Sequence, residues 1–258
     1  MGARAIIAGD GALPGLVAAA GPALIVRLEG MPGGTGGADV VARLERLGTL
    51  FADLHRSGVT EVCFAGAMRR VGFDPAALDA ETRALLPRLT AAMGQGDDAL
   101  LRDIVAIFEE QGFTIRGAHE LRPDLAAPEG AIAGTPRPEG DAARARAVLA
   151  ALGPLDVGQA AVAAGGQMLG IETLQGTDAM LRFVAKTAPG SGGVLVKRAK
   201  PGQDLRVDMP VIGPDTVTLA ASAGLSGIEI EAARVLLLDP EAVLAACAAR
   251  GVALWAVP

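Results

Sequence analysis

Tyrosine is absent from this 258-residue chain, aromatic residues make up 3% of it, and it holds two cysteines and two histidines. Each scarcity removes a class of function. Cys63 and Cys247 sit in separate apolar runs with no CxxC or His-rich spacing, which argues against a disulfide framework or zinc site and predicts two reduced, buried thiols. With His55 and His119 as the only histidines, any metal has to be held by carboxylates, which selects Mg²⁺ or Mn²⁺ over zinc. A basic excess is missing as well. The chain sets 23 Lys+Arg against 29 Asp+Glu, a net charge of −6, so it carries no nucleic-acid footprint. No run of about 18 residues is free of charges and turn breakers, which excludes a membrane-spanning helix. The opening MGARAIIAGDGALP lacks the long apolar stretch of a signal peptide, so a cytoplasmic address is expected.

What is present is aliphatic. Hydrophobic residues make up 51% of the chain, much of it Ala, with 35 Gly and 16 Pro. At roughly 150 residues per domain, the length suits one large domain or two modest ones. The first half alternates in the βα manner. Strands are read at Ala3–Ala8, Ala23–Leu28, Glu61–Ala65 and Phe113–Gly117. Helices are read at Leu13–Ala20, Asp39–Arg56 with Asp39 as its N-cap, Glu81–Met93 and Ala99–Gln111. Such alternation predicts a parallel sheet covered on both faces. Pro123–Gly140, with four prolines and no amphipathic period, reads as a linker. Beyond it, a helix over Asp141–Leu152 with Asp141 near its cap precedes several short β-like runs. These mix with helices near Asp178–Lys186, Asp215–Ala223 and Pro240–Arg250. The fold class expected is α/β in two domains: an N-terminal Rossmann-like parallel domain over 1–122, a linker over 123–140, and a C-terminal mixed α/β domain over 141–258.

Several segments could carry chemistry. Gly9-Asp10-Gly11-Ala12-Leu13-Pro14 follows the first strand and opens a helix, where backbone amides can meet a phosphate. Pro14 stands where a dinucleotide fingerprint needs its third glycine, so a nicotinamide cofactor is disfavoured, and a tight strand-to-helix turn is the plainer reading. Arg69-Arg70, past the third strand, could hold an anion or be solvated surface. His119, past the last strand of the first half, is open to a structural or a catalytic role. Gly176-Thr177-Asp178 reads as a helix start, with Thr177 or Asp178 satisfying its first amides.

The densest segment is Val196-Lys197-Arg198-Ala199-Lys200-Pro201-Gly202-Gln203-Asp204-Leu205-Arg206-Val207-Asp208. It holds two of only three lysines in the chain, the third being Lys186. Lys and Arg can neutralise phosphate oxygens, while Asp204 and Asp208, read as within reach of one ion, could hold Mg²⁺ and orient water. GxxxxGK[ST], GxSxG and HExxH are all absent.

These residues belong to a longer pattern. Asp97-Asp98-Ala99-Leu100-Leu101, Gly117-Ala118-His119-Glu120-Leu121, Asp156-Val157-Gly158-Gln159-Ala160, Glu172 with Gly176-Thr177-Asp178-Ala179-Met180-Leu181, and Lys200-Pro201-Gly202-Gln203-Asp204-Leu205-Arg206-Val207-Asp208-Met209-Pro210 recur in order with Ile212-Gly213-Pro214. In this the chain resembles the UDP-2,3-diacylglucosamine pyrophosphatases of lipid A biosynthesis, of the type unrelated to calcineurin-like metallophosphatases. The resemblance runs from the first strand to the C-terminus. It implies a Mg²⁺-dependent hydrolase that yields UMP and 2,3-diacylglucosamine 1-phosphate (lipid X), with the lipid product held between two domains. It implies Asp204, with Asp208 as the alternative, for turnover, and Glu172, Asp178 and Asp204 for the metal or water. For the substrate it implies Gly9, Asp10, Gly11, Ala12, Leu13 and Arg69 from the first domain, and Gln159, Thr177, Lys197, Lys200, Gln203 and Arg206 from the second. Asp10 interrupts what is commonly a glycine run in the family, and Arg198-Ala199 is less typical of it. The partners implied are the UDP-lipid, lipid X and, weakly, a membrane surface, with a homodimer as an option. The competing class is a non-catalytic lipid-phosphate carrier or regulator that uses the same cleft. The carboxylates beside the basic loop count against it.

Overall fold

The computed structural model describes residues 2–31, 37–68, 74–136 and 139–258. The chain divides into two compact units, one of Met1–Pro123 with Arg206–Asp208, the other of Asp124–Leu205 with Met209–Pro258.

The first unit runs β1 (Ala3–Ala8), α1 (Leu13–Ala18), β2 (Leu24–Leu28), β3 (Val40–Ala42), α2 (Leu47–Arg56), β4 (Val59–Ala65), α3 (Ala80–Met93), α4 (Asp97–Glu110), β5 (Thr114–Ile115) and α5 (Ala118–Leu121). Its five strands form one parallel sheet in the order β3-β2-β1-β4-β5. Ala5 to Ala8 of central β1 are buried one after another, the apolar run expected of a parallel strand covered on both faces. Four phenylalanines hold the core together. Phe108 meets Phe51 and Phe64 edge-to-face at centroid distances of 5.1 and 5.2 Å, and Phe113 lies 6.0 Å away. The segment Asp39–Arg56 is not one helix. Val40–Ala42 is the edge strand β3, a 3₁₀ turn follows at Leu44–Arg46, and the helix begins at Leu47. Asp39 caps nothing there; its carboxylate accepts the Ile25 amide at 2.7 Å and so ties β3 to β2.

The second unit contains β6 (Gly130–Ala133), α6 (Glu139–Leu152), β7 (Ala160–Ala164), β8 (Gln167–Ile171), α7 (Gly176–Thr187), β9 (Val194–Lys197), β10 (Val211–Ile212), α8 (Pro214–Ser222), β11 (Gly227–Glu231), β12 (Leu236–Leu237), α9 (Pro240–Arg250) and β13 (Ala253–Val257). Its six-stranded sheet has the order β6-β13-β11-β9-β7-β8. β9, β11 and β13 are parallel, while β6, β7 and β8 run antiparallel to their neighbours. β10 and β12 pair separately. Alternation along the strands sorts the two faces. Ala160, Val162, Leu195, Ile228, Ile230 and Leu254 join α7, α8 and α9 in the larger core. Ala161, Ala163, Val194, Val196 and Trp255 pack on Ala142, Ala145 and Leu149 of α6.

Two expectations change here. Gly130–Ala133 lies in the stretch read as linker, yet it forms an edge strand against β13. Its partner lies more than 120 residues on, so no local pattern announces it. Asp141 sits within the first turn of α6, and its carboxylate accepts the amides of Gly165 and Gly166 at 3.1 and 2.8 Å, clamping the β7–β8 turn.

Candidate active site

In the first unit the strand order reverses between β1 and β4, the crevice where open α/β sheets take ligands. The loops after these strands are tied to each other. Asp10 and Ala67 exchange amide-to-carbonyl bonds at 2.9 Å each, and the Gly9 amide reaches the Ala65 carbonyl at 2.8 Å. A Cβ on Gly9 would stand 2.5 Å from the Ala67 oxygen, and Gly66 (φ +93°) approaches the Asp10 carbonyl in the same way. Two glycines of these loops therefore serve the turn itself. Gly11 (φ +94°) has open space on its outer side, where nothing lies within 4 Å of a would-be Cβ. α1 spans six residues and starts from Ala12 with no side-chain cap, while Leu13 and Pro14 are buried. Arg69 and Arg70 fall outside the described residues. Arg206 and Asp208 belong to this unit, and Arg206 donates to Glu109 at 2.7 Å. The His119 ring lies against Gly117, and its Nδ1 is buried without a hydrogen-bond partner. His55 stacks on Phe113 at 4.6 Å, which accounts for it structurally.

The second unit holds half of the expected residues, Glu172, Thr177, Lys197 and Gln203 among them. Lys197 is the last residue of β9, at the carboxyl edge of the parallel strands, and its neighbour Arg198 opens the loop. The Lys197 ammonium donates to Thr177 Oγ1 at 2.8 Å, and that hydroxyl donates onward to Glu172 Oε1 at 2.9 Å. The other Glu172 oxygen accepts the Gln159 amide at 3.2 Å. The Gln159 carbonyl in turn accepts the Arg198 amide at 2.9 Å. Lys200-Pro201-Gly202-Gln203 is a β-turn closed from the Gln203 amide to the Lys200 carbonyl at 3.2 Å. Pro stands at its second place and Gly at a positive φ (+77°) at its third, the type II pattern. Gln203 Oε1 accepts the Lys200 amide at 2.8 Å, its Nε2 reaches Gln159 Oε1 at 3.4 Å, and the Lys200 ammonium pairs with Asp156.

Glu172, Thr177, Lys197 and Gln203 are each only 6–7% exposed. Burying an ammonium, a carboxylate and an amide within one network is unfavourable unless every group is matched, so the set is rigid. Gly158 lets it close: φ is +58°, and a Cβ there would sit 2.1 Å from the Glu172 carbonyl oxygen.

Thr177 thus does not cap α7. Its hydroxyl is spent on Glu172, the N-cap position is Gln175, and no side chain caps that end. Asp178 points outward and pairs with Arg182 at 3.4 Å. Asp204 follows Gln203 in the second unit and is half-buried, whereas Asp208 belongs to the first, so neither unit alone brings the two carboxylates together. Glu172, Asp178 and Asp204 form no cage either. Among the described residues no group of three or more His, Cys, Asp or Glu side chains could hold a metal ion. Sequence reasoning passed over Asp156, Glu229 and Glu231 as individual partners; Asp156 lay inside a quoted motif, and the other two showed only as acids alternating with isoleucine on one strand.

A parallel α/β unit, and a mixed α/β unit whose strand edge carries a buried Lys–Thr–Glu network and a Lys-Pro-Gly-Gln-Asp loop, define a two-unit α/β protein. The LpxI N-terminal domain model matches residues 3–125 and the LpxI C-terminal domain model residues 128–255. The chain belongs to the LpxI family. It is 42% identical over 260 aligned residues, 93% of this chain and 92% of the relative, to a Caulobacter vibrioides (strain ATCC 19089 / CIP 103742 / CB 15) protein named UDP-2,3-diacylglucosamine pyrophosphatase LpxI.

Proposed function

We propose that this protein hydrolyses the pyrophosphate of UDP-2,3-diacylglucosamine, releasing UMP and 2,3-diacylglucosamine 1-phosphate. The observation that carries the reading is identity over nearly the whole length with a relative of that name. The geometry of the second unit supports it. Lys197 and Lys200 supply positive charge for phosphate oxygens, and Gln203 fixes the turn that presents Asp204. Asp204 is the group to accept a proton from the attacking water, with Asp208 as the alternative.

Mg²⁺, or Mn²⁺ in its place, would neutralise charge on the phosphates. Such an ion commonly uses one or two protein carboxylates and takes its remaining ligands from water and substrate oxygens. We assign that role to Asp204, half-buried on the loop that carries Lys200 and Gln203, while Glu172 accepts the Thr177 hydroxyl and the Gln159 amide and belongs to the buried network.

Among the described residues no helix is long and apolar enough to cross a membrane. Leu174 and Phe183, exposed at 90% and 58% beside the Thr177 segment, support weak association with a lipid surface that presents the substrate. Incubation of the purified protein with the UDP-lipid tests the reading: UMP release with Mg²⁺ or Mn²⁺ is expected, and its absence with both ions overturns it.

A further inference from the structure

A cavity of about 630 Å³ opens within the second unit, on the α6 side of the carboxyl ends of β9, β11 and β13. Four cations line it, Arg146, Arg198, Lys200 and Arg234, together with two acids, Glu139 and Glu231. Its arginines are held from behind by one strand. β11 reads Gly-Ile-Glu-Ile-Glu, so Ile228 and Ile230 enter the larger core while Glu229 and Glu231 face the other way. Glu229, 2% exposed, takes Arg146 Nη1 on both oxygens at 2.6 and 2.7 Å, and one of these oxygens also accepts the indole N–H of Trp255 at 3.0 Å. Glu231 holds Arg198 at 3.1 Å, the Ala199 amide at 3.0 Å and Arg234 at 3.3 Å.

A carboxylate buried on a central strand does not serve the fold, which an apolar residue would stabilise as well or better. It serves orientation. A guanidinium fixed on one edge presents its remaining N–H groups in a set geometry for an oxyanion. In front of Arg146 stands Glu139, 79% exposed, bound to Nη2 at 2.5 Å. A loosely held carboxylate thus covers a firmly held arginine.

We infer that this cavity binds a phosphate monoester, with Arg146 and Arg198 as its fixed cations and Glu139 standing, in the free protein, where a ligand oxygen would sit. Among the described residues no aromatic ring lines the cavity, so the phosphoryl group and not a stacked base is what it reads. The inference rests on the proposed hydrolysis for the source of the ligand only: splitting a pyrophosphate with water produces two phosphate monoesters, and the cavity adjoins the loop assigned to that reaction.

Trp255, the only tryptophan of the chain, reports on the site through its bond to Glu229. Titration with UMP, glucosamine 1-phosphate and inorganic phosphate, read at the single indole N–H resonance, should give a saturable shift with at least one of the two monoesters. Glu139→Gln should tighten binding roughly two- to fivefold, since it removes only an exposed competitor. Arg146→Met combined with Glu229→Gln, which leaves no unpaired buried charge and keeps an acceptor for Trp255, should weaken binding about tenfold or more. A preference for UMP assigns the nucleotide product to the cavity, and a preference for glucosamine 1-phosphate assigns the sugar product. No saturable shift with either monoester, or an affinity unchanged in the double variant, overturns the site. None of these measurements needs turnover. A protein that binds a monoester through Arg146 yet releases no UMP from the UDP-lipid keeps the site and loses the activity.

Discussion

The two units solve burial in opposite ways. The first packs Phe51, Phe64, Phe108 and Phe113 together under an all-parallel sheet, and among its described residues the buried polar ones are Glu45 and Thr82. The second has an aliphatic core, yet it buries Glu172, Thr177, Lys197, Gln203, Thr216 and Glu229. In the first unit the buried polar groups finish helices and turns: Glu45 accepts the Asp74 amide at 2.8 Å, and Thr82 meets Asp79, the N-cap of α3. In the second, all but Thr216 of those groups belong to the strand-edge networks around the Lys200–Asp204 loop and the adjoining cavity. Aromatic packing yields stability; matched buried charge costs stability and yields position. That contrast is what supports placing the proposed chemistry on the second unit.

The contrast can be broken experimentally. The largest expected effect is on turnover of the UDP-lipid, where Asp204→Ala should lower the rate on the order of 10²–10⁴-fold, as loss of a proton-accepting group does. Near-normal rates would transfer the role to Asp208. Phe108→Ala should remove about 3–5 kcal/mol of stability, measured by urea denaturation, because it empties the middle of the aromatic cluster. Lys197→Met combined with Glu172→Gln should slow turnover at least about tenfold while leaving Tm near the wild-type value, since no buried charge is left without its partner. A steep fall in Tm would show that the pair holds the fold.

The smallest effect concerns the cap of α3, where Asp79→Ala should cost about 1 kcal/mol. Burial pushes the Asp79 carboxyl upward, but bonds from the Thr82 hydroxyl and amide and from the Thr49 and Gly48 amides outweigh it and hold the carboxyl below its ordinary value. The contribution of the cap is therefore complete above the ordinary aspartate pKa and fades as pH falls through the lowered one. Wild type and Asp79→Ala should converge in stability at acid pH; a gap that persists there would deny the ionised cap.

Much of the first unit was legible because strands buried on both faces leave apolar runs bounded by glycine, as Ala3–Ala8 and Val59–Ala65 do. Asp39–Arg56 misled because Val40, Leu44, Leu47, Phe51 and Leu54 satisfy a helical spacing even though the first of them lies in a strand. Tertiary pairing with β2 overrode the local pattern. β6 was hidden for a related reason, since Gly-Ala-Ile-Ala has little strand character until β13 lies beside it. At the site, the charged loop stood out by composition, and Glu172 and Thr177 lay close together in a recurrent block. Arg146 and Glu229 are 83 positions apart. Only folding brings that pair together, and nothing in the spacing of either residue signals it.

Cys63 on β4 and Cys247 on α9 place one buried thiol in each unit, at 0% and 2% exposure. Burial pushes the Cys63 thiol up to about 12 and raises that of Cys247 as well, so neither reacts while its surroundings stay closed. Each is therefore a clock for its own half of the molecule, advancing only when that half opens. Two single-cysteine variants exposed to a thiol reagent would time the two halves separately. In native buffer, without a chromophore or a ligand, they would show whether the aromatic half or the charge-bearing half is the first to come apart.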